Sequence, residues 1–176
     1  MDQNTNGTPP GNGVVWLKTM GRACTLAATT ASGDVTGTRA AIATMNRESL
    51  DWLLAALAWI GCGLSEMIAR DYPDKAGQSL AHTLREAYPA SQHRVIDTAG
   101  HWVLNGRAPS DYCCDDCYRA LALACTEIAA RAMYLLAGDN WAEAAARWRA
   151  LGRGYAGPDW DVPAPSPVPA AETIPV

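Results

Sequence analysis

Apolar residues recur at spacings of three and four along most of this chain, a period that marks helices rather than strands. From Val14 to about Thr29, Leu17, Met20, Gly21, Cys24 and Ala28 share one face, while Lys18 and Arg22 point elsewhere. After the Ser32-Gly33-Asp34 break a short helix is predicted around Arg39 to Met45. Asn46 then stands where an N-cap is needed for a longer helix reaching roughly Ala69. Leu50, Leu53, Leu57, Ile60, Leu64 and Met67 line one side of that helix, and Trp52, Ala55, Trp59 and Cys62 make its other side apolar too. A helix apolar on both sides belongs in the middle of a bundle.

Pro73 ends this element, a shorter helix carries Leu80, Leu84 and Ala87, and Pro89 closes that one in turn. Ser91 opens the next, with Val95, Ala99, Trp102 and Val103 turned inward as far as Asn105-Gly106. Pro109 and Ser110 separate it from a helix predicted from Asp111 to Ala137, which Gly138 terminates. Asn140 followed by Glu143 resembles a capping pair, and Trp141, Ala145 and Trp148 give the last helix a small apolar face.

No segment alternates cleanly with β-branched or aromatic residues, and no repeat recurs at a solenoid period. The expected fold is therefore all-α, a single-domain bundle of roughly five to seven helices over residues 14–157. Residues 1–13 are polar and residues 158–176 are rich in proline. Both are expected to be disordered tails, because neither buries enough apolar surface to offset the entropy of ordering.

At 176 residues the chain is long enough to bury a core without disulfides or metal. A net charge of −4 and a pI near 5.3 give no electrostatic reason to expect nucleic acid or acidic lipid as the main partner. Lys18 and Lys75 are the only lysines, arginine is frequent, phenylalanine is absent and alanine is abundant, a bias of GC-rich bacterial or phage coding sequences. The start lacks the basic and apolar regions of a secretory signal, which points to the cytoplasm and to six cysteines held as thiols. The longest apolar run, Trp52 to Leu64, is short of the roughly 20 residues that cross a bilayer.

Candidate chemistry is concentrated in Cys113, Cys114 and Cys117, at the start of the predicted Asp111 to Ala137 helix, with Cys125 further along. At about 100° per residue Cys114, Cys117 and Cys125 share a stripe with Leu121, Ile128, Ala132 and Leu135, so core packing is the leading interpretation. Asp115, Asp116, Arg119 and Glu127 project to the other side. Cys114 and Cys117 also have the C-x-x-C spacing that presents two thiolates to zinc from one helical turn. Zinc needs more ligands, and His101 is the nearest candidate to join Cys113, Cys114 and Cys117. His82 and His93, like His101, are expected off the apolar faces of their helices. A helix N-terminus further favours thiolate and redox chemistry, although Asp111, Asp115 and Asp116 oppose it.

Arg147, Arg149 and Arg153 with Trp148 and Tyr155 form the one basic and aromatic cluster, more in keeping with a solvated helix face than with a nucleic-acid platform. Among the aromatic residues, Trp16, Tyr155 and Trp160 fall off any core stripe and are candidates to anchor a partner. The sequence contains no nucleophile constellation and no phosphate loop. The leading expectation is a small non-enzymatic adaptor or regulator working through protein contacts, which leaves room for self-association and needs no cofactor. The alternatives are a zinc or thiol-redox protein built on the cysteines, and an enzyme assembled from scattered residues such as Asp51, Glu66, His101 and Arg119.

Overall fold

Side-chain caps set several of the helix starts in the computed structural model, which describes residues 13–75, 85–86, 88–105 and 114–156. Six α-helices lie among them: α1 (Gly13–Ala31), α2 (Val35–Ala43), α3 (Arg47–Asp71), α4 (His93–Asn105), α5 (Asp115–Leu136) and α6 (Trp141–Ala156). No strand occurs among the described residues, and the fold is an all-α bundle. Asn46 Oδ1 accepts the Ser49 N–H at 2.9 Å and starts α3 as expected. Asn140 Oδ1 accepts the Glu143 N–H at 3.1 Å and does the same for α6. At the end of α5, Gly138 takes φ 65°, a left-handed conformation that glycine reaches without strain, and its N–H bonds Leu135 O at 3.0 Å.

The α2 boundary departs from the sequence expectation. Asp34 is the N-cap and not merely part of the break: its carboxylate accepts the Gly37 N–H at 2.7 Å, so α2 begins at Val35. The predicted helix around Leu80, Leu84 and Ala87 lies outside the described residues, as do His82, Cys113, Trp160 and both expected tails apart from Gly13.

The centre of the bundle is α5, which touches every other described α-helix. Its buried positions run almost continuously from Leu121 to Leu135. The expectation that α3 occupies the middle is thus corrected. Leu50, Leu53, Leu54, Leu57, Ile60, Leu64 and Ile68 are in the core, but Trp59 and Met67 remain exposed. Gly61 allows α3 and α4 to approach closely, since a β-carbon there would overlap the carbonyl oxygen of Val103. Beside that crossing Trp102 Nε1 donates to Leu54 O at 2.9 Å. Helices α1 and α6 pack along one another, and Arg149 donates to Ser32 Oγ at 2.8 Å across that contact.

By length and composition α3 is apolar enough to cross a membrane, because its apolar stretch continues past Leu64 with Glu66 as its sole charge. The same composition suits a bundle helix, and 44% of that stretch is buried against its neighbours. What distinguishes α3 is the apolar surface left over.

Candidate functional site

Cys114 is the N-cap of α5, its sulfur accepting the Cys117 N–H at 3.2 Å. The two residues form a disulfide with a Cα separation of 5.3 Å, and both are exposed. Two expectations are corrected here. The pair is oxidised rather than held as thiols, and it is not part of the core. The physical reason is the helix start: α5 begins at Asp115, and its buried stripe begins only at Leu121. Cys125, further down the same stripe, is fully buried as expected.

Of the remaining described thiols, Cys24 and Cys125 are buried and Cys62 is partly exposed. Burial pushes Cys24 up to about 12. Burial likewise raises Cys125, and burial together with the Glu66 carboxylate raises Cys62. Alkylation of the native, unreduced protein should therefore label neither Cys114 nor Cys117. After mild reduction these two should react well before Cys24 and Cys125, which wait for unfolding. Peptide mapping checks this order, and labelling of Cys114 or Cys117 without reductant would contradict it.

His101 is exposed on α4, and Cys113 lies outside the described residues. Among the described residues no group of three or more His, Cys, Asp or Glu side chains could hold a metal ion, so His101 is not drawn together with Cys114 and Cys117 into a ligand set. Two of the scattered enzyme candidates do not share one site. Asp51 and Glu66 both belong to α3 and stand roughly 22 Å apart along its axis. Asp51 instead neighbours Arg47 at 3.8 Å, and Arg47 lies over the Tyr118 ring at 3.5 Å. That cluster ties the start of α3 to the first turns of α5.

Part of the basic cluster on α6 is engaged within the fold. Arg147 pairs with Glu143 at 2.8 Å and donates to Leu136 O at 2.8 Å, while Trp148 is fully buried. Trp141 stacks on Tyr134 with ring centroids 4.3 Å apart, and Arg131 lies over Tyr134 at 4.6 Å. These aromatic rings have their partners within the fold.

Four other aromatic residues do not finish inside. Trp16 of α1 meets Trp52 of α3 with ring centroids 6.2 Å apart, and Trp59 of α3 meets Tyr155 of α6 at 6.3 Å. Trp52 and Trp59 are seven residues apart on α3, so they point the same way roughly 10 Å from each other. Trp59 is 54% exposed, and Val14, Leu17 and Met67 nearby in sequence on α1 and α3 are 62%, 44% and 43% exposed. Leu17 was expected on the inward face of its helix and is outside it. Trp16 and Tyr155, two of the three aromatics without a core stripe, thus meet tryptophans from the apolar outer side of α3.

A buried acid that the sequence placed on the solvated side of α5 completes the inventory. Glu127 is buried and accepts a hydrogen bond from the Tyr88 hydroxyl. His93 positions this tyrosine. Its Nδ1 accepts from Arg85 Nε at 3.2 Å, which leaves Nε2–H to donate to Tyr88 O at 3.0 Å. Burial raises the Glu127 carboxyl above its ordinary value, against the lowering effects of Tyr88 and Arg39. Burial also raises Tyr88, with its bond to Glu127 adding to the shift.

The sign follows by linkage: a folded-state pKa above the unfolded one favours folding at low pH, and that contribution is lost as pH rises through the folded value. Relative to Glu127→Gln, the wild-type chain should lose stability as pH rises from the ordinary carboxylate range through the raised folded-state value of Glu127. Urea midpoints of both proteins across that range test it, and parallel pH profiles would contradict it. Next to the pair lies a cleft of about 430 Å³ between α2, α4 and α5, with Arg39, Tyr88 and Arg119 among its lining residues.

No protein-family model matches the chain, and no curated protein or solved structure gives a significant match.

Proposed function

We propose that this protein is a small non-enzymatic cytoplasmic adaptor or regulator acting through protein contacts, with the aromatic face on α1, α3 and α6 as its docking surface. The supporting observation is the exposure of Trp59 at 54% beside three further aromatic rings, two ring pairs deep along the same side of α3. Tryptophan and tyrosine are enriched at interface hot spots, because they bury much area for little loss of side-chain freedom. The other candidate roles for such rings are met elsewhere. Trp148 fills the core, Trp102 bonds α3, and Trp141 stacks on Tyr134. A second copy of the chain is one of the partners this face admits.

The test is affinity capture from cells that make the protein, comparing wild type with Trp59→Ser. A specific protein retained by the wild type and lost with Trp59→Ser, at unchanged folded stability, is the expected result. The same proteins held equally by both would count against this face.

One observation favours a second reading, a thiol-disulfide role for Cys114 and Cys117. They form an exposed C-x-x-C disulfide at a helix N-terminus, while Cys24, Cys62 and Cys125 stay unpaired. In a reducing compartment a disulfide of this kind is usually transient or redox-sensing. When reduced, the two thiolates would supply two of the four ligands zinc requires. Equilibration with glutathione buffers, followed by mass analysis, separates the cases: a midpoint near the cytosolic poise supports redox cycling, and permanent oxidation opposes it.

A further inference from the structure

The cleft between α2, α4 and α5 is independent of both the aromatic face and the cysteine pair. Its walls are apolar, formed by Ile42 of α2, Val95 and Ile96 of α4 and Leu123 of α5. Its volume of about 430 Å³ falls in the range of small-molecule sites. Two guanidinium groups line this largely apolar space, Arg39 from α2 and Arg119 from α5, beside Tyr88 and Gln92.

Arg119 is partly engaged within α5. Its Nη1 donates to Asp116 Oδ1 at 3.1 Å, which occupies one end of the guanidinium. Its Nε is out of solvent and has no hydrogen-bond partner among the described residues. Because Nε is closed to water-sized atoms, a ligand in the cleft can meet only the exposed part of this side chain, which is 33% accessible. Asp116 contacts Nη1 of Arg119, and Glu127, engaged by Tyr88, also feels the charge of Arg39.

We propose that this cleft binds a small amphipathic carboxylate, its apolar body against Ile42, Val95, Ile96 and Leu123 and its carboxylate at Arg119 and Arg39. A free inorganic anion would lose hydration against these walls without gaining from them, and a wholly apolar ligand would make no use of the two guanidinium groups. A carboxylate matches the planar donor fork of arginine. Its single charge also suits a site where Asp116 already offsets part of the positive charge. A phosphate monoester shares the recognition chemistry but brings greater negative charge into the same space.

Isothermal titration calorimetry of the full chain with decanoate, decanol and decyl phosphate tests this assignment. Decanoate should bind about tenfold or more tightly than decanol, and tighter than decyl phosphate. In Arg119→Gln, decanoate should lose about tenfold in affinity while decanol binding is unchanged. The Arg119 side chain is 33% exposed, so the substitution is compatible with folding. Arg39→Gln, at an exposed position, provides a second variant with the same expected direction. Equal binding of decanoate and decanol, decanoate binding that both variants leave intact, or no decanoate binding at all would overturn the proposal. Tighter binding of decyl phosphate than of decanoate would overturn the carboxylate assignment.

Discussion

Gly61→Ala should destabilise the bundle by about 3 kcal/mol, although alanine is the better helix former by about 1 kcal/mol. Gly61 is buried in α3, and its added β-carbon would overlap the backbone carbonyl of Val103 on α4. A flexible side chain could rotate away, but a helix carbonyl cannot. Relief requires α3 and α4 to separate, which would weaken the 2.9 Å bond from Trp102 to Leu54 O and open the core around Ala99 and Val103. Gly63 supplies the control within the same helix. A β-carbon there meets nothing within 4 Å, so Gly63→Ala should be stabilising by about 0.5–1 kcal/mol. Urea unfolding of both variants gives the comparison, and a neutral or stabilising Gly61→Ala would refute the close α3–α4 approach.

Trp148→Ala should cost about 4 kcal/mol, in line with other large-to-small changes at fully buried aromatic positions. Trp148 has no exposed surface and is the largest fully buried side chain among the described residues. Its indole nitrogen has no hydrogen-bond partner among the described residues, so its contribution comes from apolar packing. Trp148→Phe keeps most of that packing and removes the unpaired N–H. It should cost about 1 kcal/mol, far less than the alanine variant. Trp59→Ala, at an exposed ring, should cost under about 1 kcal/mol. Thermal or urea unfolding of the three variants separates a core tryptophan from a surface one. Equal losses for Trp148→Ala and Trp59→Ala would mean that both rings act alike in the fold.

Local rules made most of the helices legible. Asn46, Asn140 and Gly138 bound their helices where cap chemistry places them, because those signals act within three or four residues. Asp34 carried the same kind of signal, but the neighbouring Gly33 made it look like part of a break. Helical periodicity identified Cys125, Ile128 and Ala132 as core residues, and all three are fully buried.

Properties that depend on distant segments were not legible. The polar side of α5 was expected to face water, yet Tyr88 covers Glu127 from 39 positions away along the chain. Conversely, Cys117 sits on a stripe of core periodicity but is exposed, one turn before the buried run of α5 begins at Leu121. The two aromatic ring pairs are likewise products of tertiary packing. The sequence marked Trp16 and Tyr155 as rings without a core role, but it carried no indication that Trp52 and Trp59 would meet them. The cleft with Arg39 and Arg119 draws on three helices, and no single motif encodes it.

The most direct measurement of adaptor function is site-specific photo-crosslinking in the cells that make the protein. A photoreactive phenylalanine analogue would be introduced in turn at the positions of Trp59, Leu17 and Ala146, all exposed. Position 59 belongs to the aromatic face, position 17 follows Trp16 on α1, and position 146 on α6 is the control. The expected result is a discrete protein adduct, to another protein or to a second copy, from positions 59 and 17 and none from 146. Equal adducts from all three positions, or no adduct from position 59, would contradict a docking role for the aromatic face.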